Sequence, residues 1–371
     1  MAKNQVEIPF TELVERAQDL SRERPNAEPK IRGIVNDFYT RELPRKEDWN
    51  FFLVSSALTL IEQYATGTVS ANTGDTTVTF SSDVTITSSM VGRILKITGN
   101  DYVYRITSMS GSTGAVITPP LSGDQNITTQ SYAISQPYYS LAADFDRFPK
   151  NGGLVNYLGN SQTIIPEKPY QEWAGDSIYT TTNDPQYCRI IGQDTAGNAL
   201  LEVNPPPKIA KSLRYDYFIR PKIMRETTAG YVTIEAGSTI VVGSANTTRF
   251  NEATTGDYFR VDALGTGADS EWYRIIAIAN NSSLTLQTAF GQSGVSSASY
   301  TICPAPQMPS KMHPAILYGS LLQLAADQDD QMIQGYNIKL AEVLSDGKRM
   351  YKTRHYQQDI HSDAEDYFYR R

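Results

Sequence analysis

Cysteine and histidine are scarce in this chain, with two of the first and three of the second among 371 residues. Cys188 and Cys303 stand far apart, no C-x-x-C occurs, and both read as small buried hydrophobes rather than as a disulfide or a metal site. With His313, His355 and His361 as the whole supply of imidazole, a Ser/His/Asp arrangement would have to recruit one of them. His313 precedes Pro314 at an expected helix start and reads as a surface cap. His355 and His361 fall on different helix faces of a polar tail, a spacing that does not share a metal. Long apolar runs are missing too. The best, Phe51 to Ile61, is broken by Ser55, Ser56 and Thr59 and falls short of the roughly 18–20 residues that span a bilayer. Residues Met1 to Glu7 carry neither a basic nor an apolar leader pattern, so a chain folded in the cytosol is expected.

Motifs of catalysis are likewise absent: no G-x-x-x-x-G-K-S/T phosphate loop, no G-x-S-x-G elbow, no H-E-x-x-H. Asp144-Phe145-Asp146 resembles half of a glycosidase pair but has no second carboxylate partner, and reads as turn and cap residues. Asp327, Asp329 and Asp330 lack the glycine and ligand spacing of a calcium loop and read as a solvated face. The expectation is a protein with no catalytic residue, no metal and no cofactor, not an enzyme.

What is present is tyrosine, 23 of them against 12 Phe and 3 Trp. A large apolar ring with a polar tip suits sheet surfaces and protein interfaces. Net charge is −7. The one basic concentration, Lys348-Arg349-Met350-Tyr351-Lys352-Thr353-Arg354-His355-Tyr356, is followed by Asp359, Asp363, Glu365 and Asp366, which cancel much of it. It reads either as a solvated tail or as a docking peptide that orders on a partner.

Phe10, Leu13, Val14, Ala17 and Leu20 share one helical face, with Thr11 as a candidate cap and Pro25 as the stop. Ile31, Ile34, Val35, Phe38 and Tyr39 predict a second helix behind Pro29, ended by Pro44. The aromatic run Trp49-Asn50-Phe51-Phe52 is expected to pack these helices together. From about Thr66 the pattern changes to short alternating strands separated by Gly, Asn and Asp. That grammar returns later: Gly67-Thr68-Val69 matches Gly230-Tyr231-Val232, and Gly92-Arg93-Ile94-Leu95 matches Gly256-Asp257-Tyr258-Phe259. Tyr104-Arg105-Ile106 matches Tyr273-Arg274-Ile275, Val116-Ile117-Thr118 matches Leu284-Thr285-Leu286, and Ser131-Tyr132-Ala133-Ile134 matches Ser299-Tyr300-Thr301-Ile302. After Pro304 the helical spacing resumes through Ile316, Leu317, Leu321, Leu324 and Leu340, with Gly347 as a candidate cap.

These readings predict an α+β protein with five parts. Residues 1–65 and 304–371 supply the helices of one bundle-like body built from both termini. Residues 66–136 and 227–303 are two copies of a small β-barrel or sandwich module, and 137–226 is a central β segment. Ile34, Phe38, Trp49, Phe52, Ile316, Leu317, Leu321 and Leu340 are the candidate packing residues of the body.

The run Ile34-Val35-Asn36-Asp37-Phe38-Tyr39 leading to Asp48-Trp49-Asn50-Phe51-Phe52-Leu53, then Tyr139-Ser140-Leu141-Ala142-Ala143-Asp144-Phe145, resembles the head-to-tail adaptor proteins of tailed bacteriophages. So do Asp184 to Ile190, Leu201 to Pro207, Leu213 to Tyr217, and His313-Pro314-Ala315-Ile316-Leu317-Tyr318-Gly319. Ala142 stands where that family often has proline, and the two β modules are additions to its smallest members. The resemblance implies a structural virion protein of the neck, assembled in the host cytoplasm. It implies a ring of about twelve copies whose closure the portal templates, with the portal protein above and a tail nozzle, tube or fibre protein below. Genomic DNA would pass through without specific binding, which an acidic chain favours because each neutralised phosphate adds about 0.9 to the salt slope of binding. No membrane partner is expected. By the same resemblance the C-terminal tail docks on the portal, through Arg349, Tyr351, Lys352, Arg354 and Tyr356. The rival readings are a tail-fibre or receptor-recognition protein whose β modules bind glycan, a hydrolase of cell wall or exopolysaccharide, and another neck component, a stopper or tail-tube protein.

Overall fold

The computed structural model describes residues 7–21, 27–123, 125–150, 152–158, 161–168, 184–244, 247–262, 271–328 and 332–352. It is a mixed α+β protein, with helices at both ends and a β-rich middle. The chain divides into two compact units, one from Met1–Phe52 with Arg220–Arg371, the other from Leu53–Ile219.

The described residues of the first unit include the helices α1 (Phe10–Ser21), α2 (Glu28–Asp37), α3 (Leu43–Lys46), α4 (His313–Gln328) and α5 (Ile333–Tyr351). Helix α4 packs on α1, α2 and α5, so helices from the two chain ends share one core. Its contributors include Phe10, Leu13, Val14 and Ala17 from α1, Ile31 and Val35 from α2, and Ile316, Leu321 and Leu324 from α4. Each of the Phe, Leu, Val and Ile side chains among them contributes about 1.5–3 kcal/mol on leaving water. The expected α1 face ends one turn early, because Leu20 is 48% exposed.

Three local expectations are corrected by the structure. Pro44 does not stop the second helix: a wide π turn over Phe38–Glu42 carries the helical path into α3. The wider hydrogen-bond spacing puts Pro44 in the first turn of a new helix, where its missing N–H costs nothing. Thr11 does not cap α1; it lies inside the helix and its hydroxyl donates to Glu226 at 2.7 Å. Gly347 lies within α5, and a Cβ there would collide with the Met312 sulfur and lie 3.3 Å from the Trp49 ring. Gly319 likewise lets α4 pass over the Phe38 ring. Both glycines serve close helix contact rather than termination.

The second unit contains a five-stranded sheet in which Leu53–Leu60 pairs antiparallel with Lys211–Ile219 along its whole length. Gly153–Leu158, Ser161–Pro166 and Phe145–Arg147 complete it, and Tyr187–Gln193, Ala199–Asn204 and Tyr138–Ser140 form a separate three-stranded sheet. Leu58, Leu60, Leu213, Tyr215, Tyr217, Leu201 and Val203 share its core.

The two repeated segments form two curled, seven-stranded antiparallel half-barrels, one in each unit. In the first the strand order is Ile127–Gln130, Val69–Ala71, Thr77–Phe80, Gly114–Thr118, Val103–Met109, Ile94–Ile97, Tyr132–Ser135. In the second it is Val295–Ala298, Val232–Ile234, Ile240–Gly243, Ser283–Leu286, Tyr273–Asn280, Tyr258–Val261, Tyr300–Cys303, the same topology strand for strand. Each is a single curled sheet. Pairing register fixes the equivalences: Ile94 opposes Arg105 and Ser135, and Tyr258 opposes Arg274 and Cys303. It also corrects one match by a residue. Thr77 opposes Val116 while Ile240 opposes Thr285, so Ile117 corresponds to Leu286, and both are buried. The alignment of Ile117 with Thr285 would turn every side chain of that strand to the other face.

The tyrosines of the repeat do matching work. Tyr132 donates to the Thr66 carbonyl and Tyr300 to the Ala229 carbonyl, each at 2.6 Å. Tyr104 and Tyr273 hydroxyls each accept a loop N–H, from Ser122 and Gly291, at 3.0 Å. Each module therefore ties its entering strand and one long loop to its core through a phenol.

Candidate functional site: joints of the helical unit and the foot of its last helix

Asn36, Tyr39, Trp49 and His313 lie at joints of the helical unit. Helix α2 places Asn36 and the following π turn places Tyr39 beside the two linkers that flank the second β module. Asn36 takes the Met224 N–H at 2.8 Å and donates to the Met224 carbonyl at 3.0 Å. The Tyr39 hydroxyl accepts the Gln307 N–H at 2.8 Å, and burial pushes its pKa up to about 12. His313 is fully buried, contrary to the surface cap expected. Its Nδ1 accepts the Ile8 N–H at 2.9 Å and its Nε2 faces the Met308 carbonyl at 3.2 Å, which fixes a neutral Nε2–H tautomer. Burial is the main reason its pKa lies below the ordinary value.

Helix α1 is docked on the second module by ion pairs. Arg260, 3% exposed, donates to Glu15 at 2.8 and 3.0 Å and to Asp262 at 3.2 Å, with its guanidinium 4.5 Å over the Trp272 ring. The acidic and hydroxyl groups of α1 and its approach complete the contact, with Tyr258 donating to Glu7 at 2.6 Å. No sequence motif marked this arginine; its equivalence to Lys96 in the repeat is the signal that could have.

The foot of α5 meets the Trp49 segment. Trp49 is wholly buried and donates to the Leu43 carbonyl at 2.9 Å. Its backbone bridges Lys352, and Phe51 stacks on its indole at 5.6 Å. Of the tail residues predicted from sequence, Tyr351 meets Phe51 edge-on at 5.9 Å. Lys352 and Lys348 both bridge Glu47 at 3.1 Å. Arg349 projects outward, pairing with Asp346 at 3.3 Å. Arg354 and Tyr356 lie outside the described residues, as do His355 and His361. Partial burial pushes the Glu47 carboxyl up, but the two ammonium groups outweigh it and hold it below the usual range. Of the candidate packing residues Phe38, Trp49, Phe52, Ile316, Leu317, Leu321 and Leu340 are buried, and Ile34 is half-buried.

In the second unit the resembling residues are again hydrogen-bonded into structure. Tyr139 accepts the Ile61 N–H at 3.1 Å, Tyr215 accepts the Ala142 N–H at 3.0 Å, and Tyr217 donates to Asp144 at 2.8 Å. Ala142 supplies an N–H that a proline at this position would lack. Asp144 is thereby a phenol acceptor. Cys188 and Cys303 are buried free thiols whose pKa values burial pushes up to about 12. Among the described residues no three His, Cys, Asp or Glu side chains converge as a metal site, and no helix is long and apolar enough to cross a membrane.

No family model matches the chain, and no curated protein does. Among solved structures a phage phi92 endosialidase aligns at 20% identity and a TM-score of 0.17. The alignment covers 28% of this chain and 16% of that one.

Proposed function

We propose that this chain is a structural virion protein, the head-to-tail adaptor of a tailed phage, which forms a ring between portal and tail and serves as a conduit for DNA. One observation carries the reading. The residues that resemble the family from opposite ends of the chain, Asn36, Tyr39, Trp49, His313 and Gly319, are joints of one helical unit. Asn36 and Tyr39 hold the linkers on either side of the second module, while Gly319 and Trp49 seat α4 and α5. A ring subunit needs such a unit, because each lateral interface must bury more than about 1,000 Å² against its neighbour without deforming. The portal then contacts the outward side of the α5 foot, where Arg349 is exposed, and the residues beyond Lys352.

The test is a truncation after Lys352. A cut after Gly347 would also remove Tyr351 from Phe51 and both ammonium groups from Glu47, and so would mix folding with docking. The shortened protein should keep its unfolding midpoint and cease to co-sediment with portal rings; undiminished co-sedimentation would reject the tail as the docking element.

A second reading, a tail-fibre or receptor-binding protein, is favoured by the outer face of the second module. Tyr231, Ile240, Val242 and Ile276 are all about half or more exposed there. The equivalent positions of the first module are Thr68, Thr77, Thr79 and Thr107. An apolar patch at positions where its own repeat keeps threonine is a contact surface. A trimer in solution would favour this reading, and a portal-templated ring the first.

A further inference from the structure

The two β modules are the same sheet, yet only one has its flank covered by helix α1. On the second module residues 7–15 lie across Glu226, Tyr258, Arg260 and Cys303. Glu226 accepts from Thr11 at 2.7 Å, Tyr258 donates to Glu7 at 2.6 Å, and Arg260 donates to Glu15 at 2.8 Å. The Cys303 thiol lies against Thr11. Register assigns each of these a counterpart in the first module. The bridge of Tyr64 to Ile134 matches that of Thr227 to Ile302, which pairs Gln63 with Glu226. The edge pairings match Ile94 with Tyr258, Lys96 with Arg260, and Ser135 with Cys303.

Those counterparts line an open cleft. Gln63, Ile94, Lys96 and Ser135 line it together with Asp101, Ala133 and Pro206, enclosing about 520 Å³. Two polar groups there lack what their equivalents have. The Gln63 Oε1 is buried without a hydrogen-bond donor among the described residues, where Glu226 has the Thr11 hydroxyl. Among the described residues the Lys96 ammonium reaches only the Tyr102 carbonyl at 3.5 Å, where Arg260 has the Glu15 carboxylate. A buried acceptor left without a donor costs about 1–3 kcal/mol, which a docked donor would recover once the Gln63 carboxamide turns toward the cleft.

We infer that this cleft receives an acidic amphipathic helix of a partner protein, seated as α1 is seated on the second module. A carboxylate would meet Lys96 and a hydroxyl or amide donor one helical turn away would meet Gln63. Lys96 offers an acidic side chain its cation, as Arg260 does for Glu15, and the second module of the same chain already holds a helix in this way. Ile94 and Ala133, standing where Tyr258 and Thr301 stand, make this cleft less polar than its equivalent. Its occupant therefore carries one acidic contact where residues 7–15 use two, Glu7 and Glu15. The inference goes beyond the adaptor reading and does not depend on ring formation.

The probe is a fluorescein-labelled peptide of residues 5–21 of this chain, titrated by anisotropy into the full-length protein, whose second module is already occupied in cis. Saturable one-to-one binding is expected. Lys96→Glu should weaken it at least tenfold, Gln63→Leu several-fold, and Lys96→Arg, which copies Arg260, should tighten it. Circular dichroism melts of the variants check that the fold is kept. Absence of binding, or equal affinity for Lys96→Glu, overturns the inference. Binding that appears only after residues 353–371 are removed would instead place the chain's own tail in the cleft, and also overturns it.

Discussion

Asn36 and Met224 are joined edge to edge: the carboxamide accepts the Met224 N–H at 2.8 Å and donates to the Met224 carbonyl at 3.0 Å, as a neighbouring strand would. Together with the Arg32–Glu226 ion pair at 2.5 Å, this side chain fastens the segment entering the second module to helix α2. Asn36→Ala leaves both backbone groups without this partner and should cost about 1–3 kcal/mol in urea unfolding. Asn36→Asp should cost at least as much, because a carboxylate oxygen would then face the Met224 carbonyl. Limited proteolysis should begin between residues 220 and 227 in both variants.

Gly319 presents opposing effects of known sign. In an exposed helix Gly→Ala gains about 1 kcal/mol. Here the new methyl would overlap the buried Phe38 ring, so Gly319→Ala should instead destabilise by about 1–3 kcal/mol. Adding Phe38→Leu should restore part of the loss. A stabilised single variant would show that α4 and the π turn are not in contact as described.

His313 makes stability depend on pH in a defined window. Its folded pKa is lowered, chiefly by burial, from an ordinary value of 6.5. Stability from this group is therefore complete above 6.5 and is lost as pH falls below it, by up to about 1.4 kcal/mol per unit until the folded pKa is reached. Unfolding free energies between pH 7 and 5 should show this slope in the wild type and not in His313→Gln. A slope unchanged by the substitution would mean that the ring titrates normally.

Glu47 acts in a lower window. Its folded pKa is depressed by Lys348 and Lys352, so its contribution is present above the unfolded value of 4.5 and disappears as pH falls through the folded value. The lysines are half exposed, and Glu47→Gln should cost no more than about 1 kcal/mol, less in high salt. A larger, salt-independent loss would show that Glu47 also holds the backbone.

Much of this architecture was legible in the residues. Periodicity at Phe10 to Ala17 and at Ile316 to Leu324 marks terminal helices, because a face repeating at 3.6 residues has few other ways to be buried. The strand grammar and the repeat were legible for the same reason at period two. What escaped reading depended on partners distant in sequence. Leu53–Leu60 is a full strand only because Lys211–Ile219 lies beside it. His313 is a buried clamp only because the Ile8 segment crosses it. Gly347 resembles a terminator until Met312 and Trp49 are seen against it. The one-residue slip at Val116 arose because Val, Ile and Thr fit either face of a strand, and pairing alone decides between them.

Negative-stain electron microscopy of the full-length protein, alone and mixed with portal rings encoded by the same genome, tests the central proposal most directly. The adaptor reading predicts a separate species alone and an added ring of density on one face of the portal when mixed. Portal rings left bare, with this protein found as trimers or at a distal fibre tip, would contradict it.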